Sequence, residues 1–344
     1  MNVLVTGGCG FIGSHLVREA LKLTDIQRVV NLDALTYSGN IQNLSDILDE
    51  RYDFVHGSIN DYELVSSILS EYKIDNIIHL AAESHVDRSI DSVSPFIKTN
   101  IDGTRVILEN LRVERNRENN INLIHVSTDE VYGTLGPQDP PFTEESPISP
   151  MNPYASTKAS SDLLVQAFVN TYGISAIITR CSNNYGPNQF PEKLIPLMTL
   201  NAIEGKPLPI YGDGKQIRDW IHVSDHVRGI ISSMFGFIDN KLTPGEVINF
   251  GAANEMENIE IVRGILGITG ASDDLVKYVK DRPGHDRRYA MGYEKAEMKL
   301  EWRPEKNWAD GLKETVNWYI EQKYWVESIR TGEYLNWIEN QYGN

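Results

Sequence analysis

Cysteine is nearly absent from the chain. Its 344 residues hold two, Cys9 and Cys181, too few for a disulfide framework, and neither lies in a CxxC or Cys/His cluster of zinc spacing. Both read as small buried residues. No stretch reaches the roughly 18 consecutive apolar residues that a membrane span needs, and residues 1–6 read as a strand, not as a basic, apolar and small-residue leader. A soluble, cytoplasmic protein is the expectation. Positive charge is also scarce: Lys and Arg number 32 against 48 Asp and Glu, a formal net charge of −16. Such a field repels nucleic-acid phosphates and anionic lipid surfaces, so neither is an expected partner. Internal repeats are missing, and Gly 26 and Pro 15 are too dispersed for a low-complexity chain.

What is present is a chain long enough for two domains or one large α/β unit. Short β-branched runs at 3–5, 28–32, 53–55, 76–80, 123–127 and 176–179 alternate with helical spacing at 11–23, 62–72, 95–115 and 153–172. Alternation of this kind predicts a Rossmann-type doubly wound parallel sheet covered on both faces. Five prolines make residues 133–151 a surface loop. After about Cys181 the texture turns irregular, and the alternation returns only in fragments such as 245–250 and 259–268. The expected division is a dinucleotide-binding domain over 1–180, with a segment near 219–250 returning to it. Residues 181–344 then form mainly a smaller, mixed α/β substrate-binding region, whose aromatic tail, 308–342, packs as terminal helices.

Gly7, Gly10 and Gly13 follow the first strand and open a helix at Phe11 and Ile12. Missing side chains there permit a tight turn and a close approach of pyrophosphate to backbone N–H groups at a helix N-terminus. Asp33 lies twenty residues beyond Gly13, where a carboxylate takes both ribose hydroxyls and repels a 2′-phosphate. Ala34 and Leu35 follow and no arginine does, which favours NAD over NADP.

Tyr154 and Lys158 stand four apart on one helix face. A nearby ammonium is expected to lower the phenol's pKa, so that Tyr154 takes an alcohol proton as hydride leaves. Thr128 ends the preceding strand and is expected on the same substrate oxygen. Asp129 and Glu130 adjoin it, and adjacent acids at a strand's end read as an acid and a base. An epimerase needs neither, whereas elimination of water needs both.

On these residues the chain resembles the extended short-chain dehydrogenases/reductases, the family of nucleotide-sugar epimerases and dehydratases. The triplet 128–130 and the stretches 33–40, 80–88, 99–100, 181–187, 191–196 and 281–286 resemble the dTDP-glucose 4,6-dehydratases over nearly the whole length. The resemblance implies NAD as cofactor, contacted also by Thr36, Ile59, Leu80, Ala81, Ala82, Ser84, Thr99 and Asn184. It implies a nucleoside diphosphate sugar, dTDP-glucose, as substrate, met by Ser84, Thr128, Asn183, Lys193, Leu194, Pro209, Tyr211, Asn249 and His285, with Arg218 and Arg282 on the diphosphate. Arg287 and Arg288 are further candidates to offset its charge. One departure is visible: Ser58 stands where the family has a carboxylate beside the adenine. A homodimer through a four-helix bundle of 95–115 and 153–172 is also implied. His222 and His226 flank Asp225 without a third ligand near in sequence, so no metal is expected.

Overall fold

The computed structural model describes residues 1–281 and 284–330. The first run of elements is β1 (Asn2–Thr6), α1 (Phe11–Leu21), β2 (Arg28–Asp33), β3 (Tyr52–His56), α2 (Tyr62–Glu71) and β4 (Asn76–His79). Next come α3 (Val86–Asp91), α4 (Ser94–Phe96), a π-helical stretch (Ile97–Gly103), α5 (Thr104–Asn116), β5 (Asn122–Thr128), α6 (Pro153–Tyr172) and β6 (Ala176–Cys181). The spacing predicts one helix over 95–115. The chain instead widens into π geometry at 97–103, a feature that often marks functional sites.

The later elements are β7 (Asn183–Tyr185), α7 (Leu194–Ile203), β8 (Leu208–Tyr211), β9 (Ile217–His222), α8 (Val223–Ile238) and β10 (Val247–Phe250). They continue with β11 (Glu255–Glu257), α9 (Asn258–Thr269), β12 (Val276–Val279), α10 (Glu294–Leu300), α11 (Trp308–Glu321) and α12 (Lys323–Ile329). The last two fall within the expected helical tail, whose remainder lies outside the described residues.

Seven strands form one sheet in the order β10-β6-β5-β4-β1-β2-β3, and every pairing is parallel. Successive side chains on a strand face opposite ways. Val3 and Val5 therefore pack with Leu16 of α1 and Ile230 of α8, while Leu4 packs with Ile68, Leu108 and Val165 of α2, α5 and α6. With helices on both faces, the central strands β1 and β4 are buried on both sides. Strand order reverses between β1 and β4, and a crevice opens there beyond the carboxyl ends of the strands. A second core, including Ile195, Trp220, Ile261 and Val316, holds α7, α9 and α11 against the small sheets β11-β9-β7 and β12-β8. Residues 133–151 form the expected loop, stitched by Phe142 to Met291 in an isolated bridge. No helix among the described residues is long and apolar enough to cross a membrane.

Candidate active site

Where β1 turns into α1, the glycine positions have room for backbone alone. Gly7 lies at φ +76°, and a Cβ there would stand 2.8 Å from Ala81 Cα. A Cβ on Gly13 would stand 2.1 Å from the Gly7 carbonyl oxygen. No side chain caps the N-terminus of α1, so its first amides face the crevice at the positive end of the helix dipole. Asp33 ends β2 and is buried, with Oδ2 accepting from Cys9 N and Oδ1 from Leu35 N, both at 2.8 Å. Burial raises its pKa, and the two amides oppose the rise. Of the residues expected around a dinucleotide, all but Leu35 line this crevice. Leu35 instead takes a left-handed conformation, φ 49°, and packs against the core. Ser58 is on the wall, its hydroxyl accepting from Asn60 N at 3.1 Å. The uncapped helix start, the glycine cradle and the ribose-height carboxylate fit a dinucleotide.

Thr128 ends β5, and its hydroxyl caps a 3-10 turn, Asp129–Tyr132, by accepting from Glu130 N. That turn separates the two acids. Asp129 is 2% exposed, and burial beside the charges of Glu130 and Asp219 raises its pKa well above the carboxylate range. Glu130 is half-buried on the crevice wall, where Asn152 Nδ2 donates to its Oε2 at 3.1 Å. Asn152 is also the N-cap of α6, accepting from Ala155 N at 2.8 Å, with Pro153 in the first turn. The element that presents Tyr154 thus also orients Glu130.

Tyr154 and Lys158 both reach the crevice, but one electrostatic expectation is overturned. The Tyr154 phenol is raised well above its usual value, not lowered: burial dominates, and the charge of Glu130 adds to it, opposed by the neighbouring Thr128 hydroxyl. Lys158 Nζ donates to the Val126 carbonyl at 2.8 Å. Burial lowers its own pKa, opposed by Asp162 one helical turn on. Asp162 in turn accepts from Arg180 Nε at 2.9 Å.

Of the expected substrate contacts, Ser84, Thr128, Asn183 and Lys193 line the crevice, and Leu194, Pro209, Tyr211, Arg218, Asn249 and His285 do not. Arg282 lies outside the described residues. Arg218 is buried, its guanidinium 4.4 Å over the Tyr289 ring and donating to the Asp286 carbonyl at 2.9 Å. Asn249 Oδ1 accepts from the Tyr132 hydroxyl at 2.9 Å. Arg287 pairs with Asp213 and Arg288 with Glu255, so neither faces the crevice as a bare cation. His222 Nδ1 meets Ser224 Oγ at 2.7 Å, and His226 Nδ1 meets Asn184 Oδ1 at 2.9 Å, so the two rings serve separate partners.

Glu83, within the stretch 80–84 that the resemblance puts on the cofactor, lines the crevice. Two further groups join the site that the sequence reading did not single out: Glu192 lines the crevice, and Tyr289, its phenol raised by burial and then by the charge of Glu130, stands close to it. Glu192 sits within the stretch 191–196, but only its hydrogen bonds to Tyr37 and Arg88, 155 and 104 residues away, separate it from a surface acid.

The family model described as GDP-mannose 4,6 dehydratase matches residues 4–315. The dTDP-glucose 4,6-dehydratase of Salmonella typhimurium strain LT2 is 46% identical, aligned over 99% of this chain and 99% of its own. DesIV, the dTDP-glucose 4,6-dehydratase of Streptomyces venezuelae, solved with NAD bound, superposes with a TM-score of 0.90 at 45% identity, covering 96% of this chain and 100% of that one. The dTDP-glucose 4,6-dehydratase of Bacillus anthracis in complex with NAD gives 0.86 at 44% identity, with 96% and 100% covered.

Proposed function

The chain belongs to the dTDP-glucose 4,6-dehydratase family, and from that premise we propose that it is a hydro-lyase converting dTDP-glucose to dTDP-4-keto-6-deoxyglucose. The stages are oxidation at C4, loss of water across C5 and C6, and reduction at C6. The observation that carries this reading is the pair of adjacent carboxyls, one buried with its pKa raised, one half-exposed, at the wall that also bears Tyr154 and Lys158. NAD, when bound against the glycine turn, α1 and Asp33, supplies the hydride acceptor for C4 and the donor for C6.

The remaining chemistry is assigned to side chains of the chain. Tyr154, beside Thr128, holds the C4 oxygen and receives its proton. A phenol raised by burial does so only when further positive charge enters the crevice beside Lys158. Glu130 removes the C5 proton, acidified by the neighbouring ketone, and returns a proton to C5 as hydride reaches C6. Asp129, protonated because it is buried among negative charges, delivers its proton to the departing C6 hydroxyl, which leaves as water. Ser84, Asn183 and Lys193 hold the sugar nucleotide.

The division of labour assigned is cofactor binding by 1–180 with the segment near 219–250, and substrate binding by the rest of 181–344. The protein acts as a homodimer through a four-helix bundle, supported by exposed Ile97, Leu163 and Tyr172 on and beside α5 and α6. A cytoplasmic location is supported by two buried, unpaired thiols.

The test uses a panel of nucleoside diphosphate glucoses deuterated at C4. The dTDP sugar is expected to react fastest and to give a 4-keto product with deuterium at C6. Loss of the label to solvent, or turnover without a keto product, overturns the reading.

A further inference from the structure

Two walls of the crevice that are far apart in sequence are tied to each other by side chains outside the chemistry. Tyr37, in the segment after β2, donates its hydroxyl to Glu192 Oε1 at 2.8 Å. Arg88 of α3 donates Nε to Glu192 Oε2 at 2.9 Å, and its guanidinium lies 3.9 Å from the Tyr37 ring centroid. The same ring stands edge-on to Phe190 at 5.5 Å and through it joins the aromatic cluster of Tyr319 and Trp325. Both carboxylate oxygens of a residue only 4% exposed are therefore engaged by donors from the first half of the chain.

A second tie lies further along the same segment. Trp325 Nε1 of α12 donates to Asn43 Oδ1 at 2.6 Å, and Asn188 Nδ2 donates to the same oxygen at 3.1 Å. Asn43 Nδ2 passes the contact on to the Cys9 carbonyl, 2.9 Å away in the glycine-rich turn. Between the two ties run Ser38 and Gly39, which line the crevice. Tyr37 itself does not line it.

We propose that Tyr37 is a positioning residue for the dinucleotide. Its phenol, backed by the Trp325 to Asn43 bond, latches segment 36–43 to segment 188–193, so that a dinucleotide seated in the crevice exchanges with solvent only when the latch opens. The inference rests on the cofactor reading above. A hydrogen bond to a buried carboxylate is among the stronger kinds, so its removal is expected to speed exchange about tenfold or more.

The test measures uptake of isotopically labelled NAD by the full-length protein carrying unlabelled NAD, for wild type, Tyr37→Phe and Trp325→Phe. Both substitutions keep a ring in place and remove one donor. Exchange about tenfold faster in both, with thermal unfolding midpoints held within about 2 °C of wild type, supports the latch. Wild-type exchange rates in both variants overturn it, as does acceleration found only alongside a fallen midpoint, which marks general loosening. A wild-type protein that neither carries nor takes up NAD overturns the cofactor reading, and the latch with it.

Discussion

The carboxyl of Asp129, enclosed beside the charges of Glu130 and Asp219, keeps its proton well above the usual carboxylate range. Stability and catalysis depend on that proton in opposite ways. The folded state binds it more tightly than the unfolded chain does, so the unfolded chain releases it first as pH rises through about 4. Stability is therefore lost from there upward until folded Asp129 itself ionises. Asp129→Asn removes this loss. Its unfolding midpoint is expected above that of wild type at pH 7, with the gain gone near pH 3, as followed by calorimetry. Water loss in the same variant is expected to slow by about 10² or more, since no proton reaches the departing hydroxyl. Glu130→Gln should slow elimination on the same scale while C4 oxidation continues. An Asp129→Asn protein no more stable than wild type at pH 7 would contradict the buried-acid account.

At the level of elements, the π-helical stretch Ile97–Gly103 holds the crevice loop that follows β4. Asn100 lies within it. Its Oδ1 accepts from Glu83 N at 2.9 Å, and its Nδ2 donates to the Glu83 carbonyl at 3.0 Å and to Thr157 Oγ1 of α6 at 2.9 Å. One carboxamide thus imitates a strand partner for the loop and joins it to the helix that carries Tyr154. Asn100→Ala leaves a backbone donor and acceptor in a partly buried site without these partners, at a cost of about 1–3 kcal/mol. Urea unfolding is expected to show that loss at an unchanged m-value, and NAD affinity should fall with it because Ala81 to Ser84 line the crevice proposed for the cofactor. A loss below about 0.5 kcal/mol would place the loop's anchor elsewhere. The expected single helix over 95–115 does not contain this tie, because periodicity reports the buried face and not the widened turn that aims Asn100 at residue 83.

Across the whole molecule, an anionic substrate has to enter a chain of net charge −16. The arginines read from sequence as the offset are largely spoken for: Arg287 and Arg288 pair with Asp213 and Glu255, and Arg218 lies on Tyr289. Lys193, which lines the crevice and donates to the Ser84 carbonyl at 2.8 Å, joins Lys158 as a cation on the crevice wall. The apolar side chains left outward on α6 carry the proposed assembly to a test. Leu163, 53% exposed, is expected to be covered by a second copy, so Leu163→Glu should sediment near the 38.9 kDa of one chain while wild type sediments at twice that. A wild-type monomer at micromolar concentration would remove the dimer from the proposal.

Short-range spacing determined a large part of this protein from the sequence alone. The strand and helix alternation, the glycine turn into α1, Asp33 at the end of β2 and the Tyr154 to Lys158 step on one helix face all depend on neighbours within about twenty residues, and backbone geometry there leaves few alternatives. Ionisation states depended instead on tertiary structure. The raised phenol of Tyr154 and the raised carboxyl of Asp129 come from desolvation first and then from nearby charges, Glu130 for both and Asp219 of β9 for Asp129, and no spacing rule measures burial. The role of Glu192 is likewise invisible until Tyr37 and Arg88 meet it, because the energy of a buried ion depends on which partners the fold delivers, not on which residues precede it.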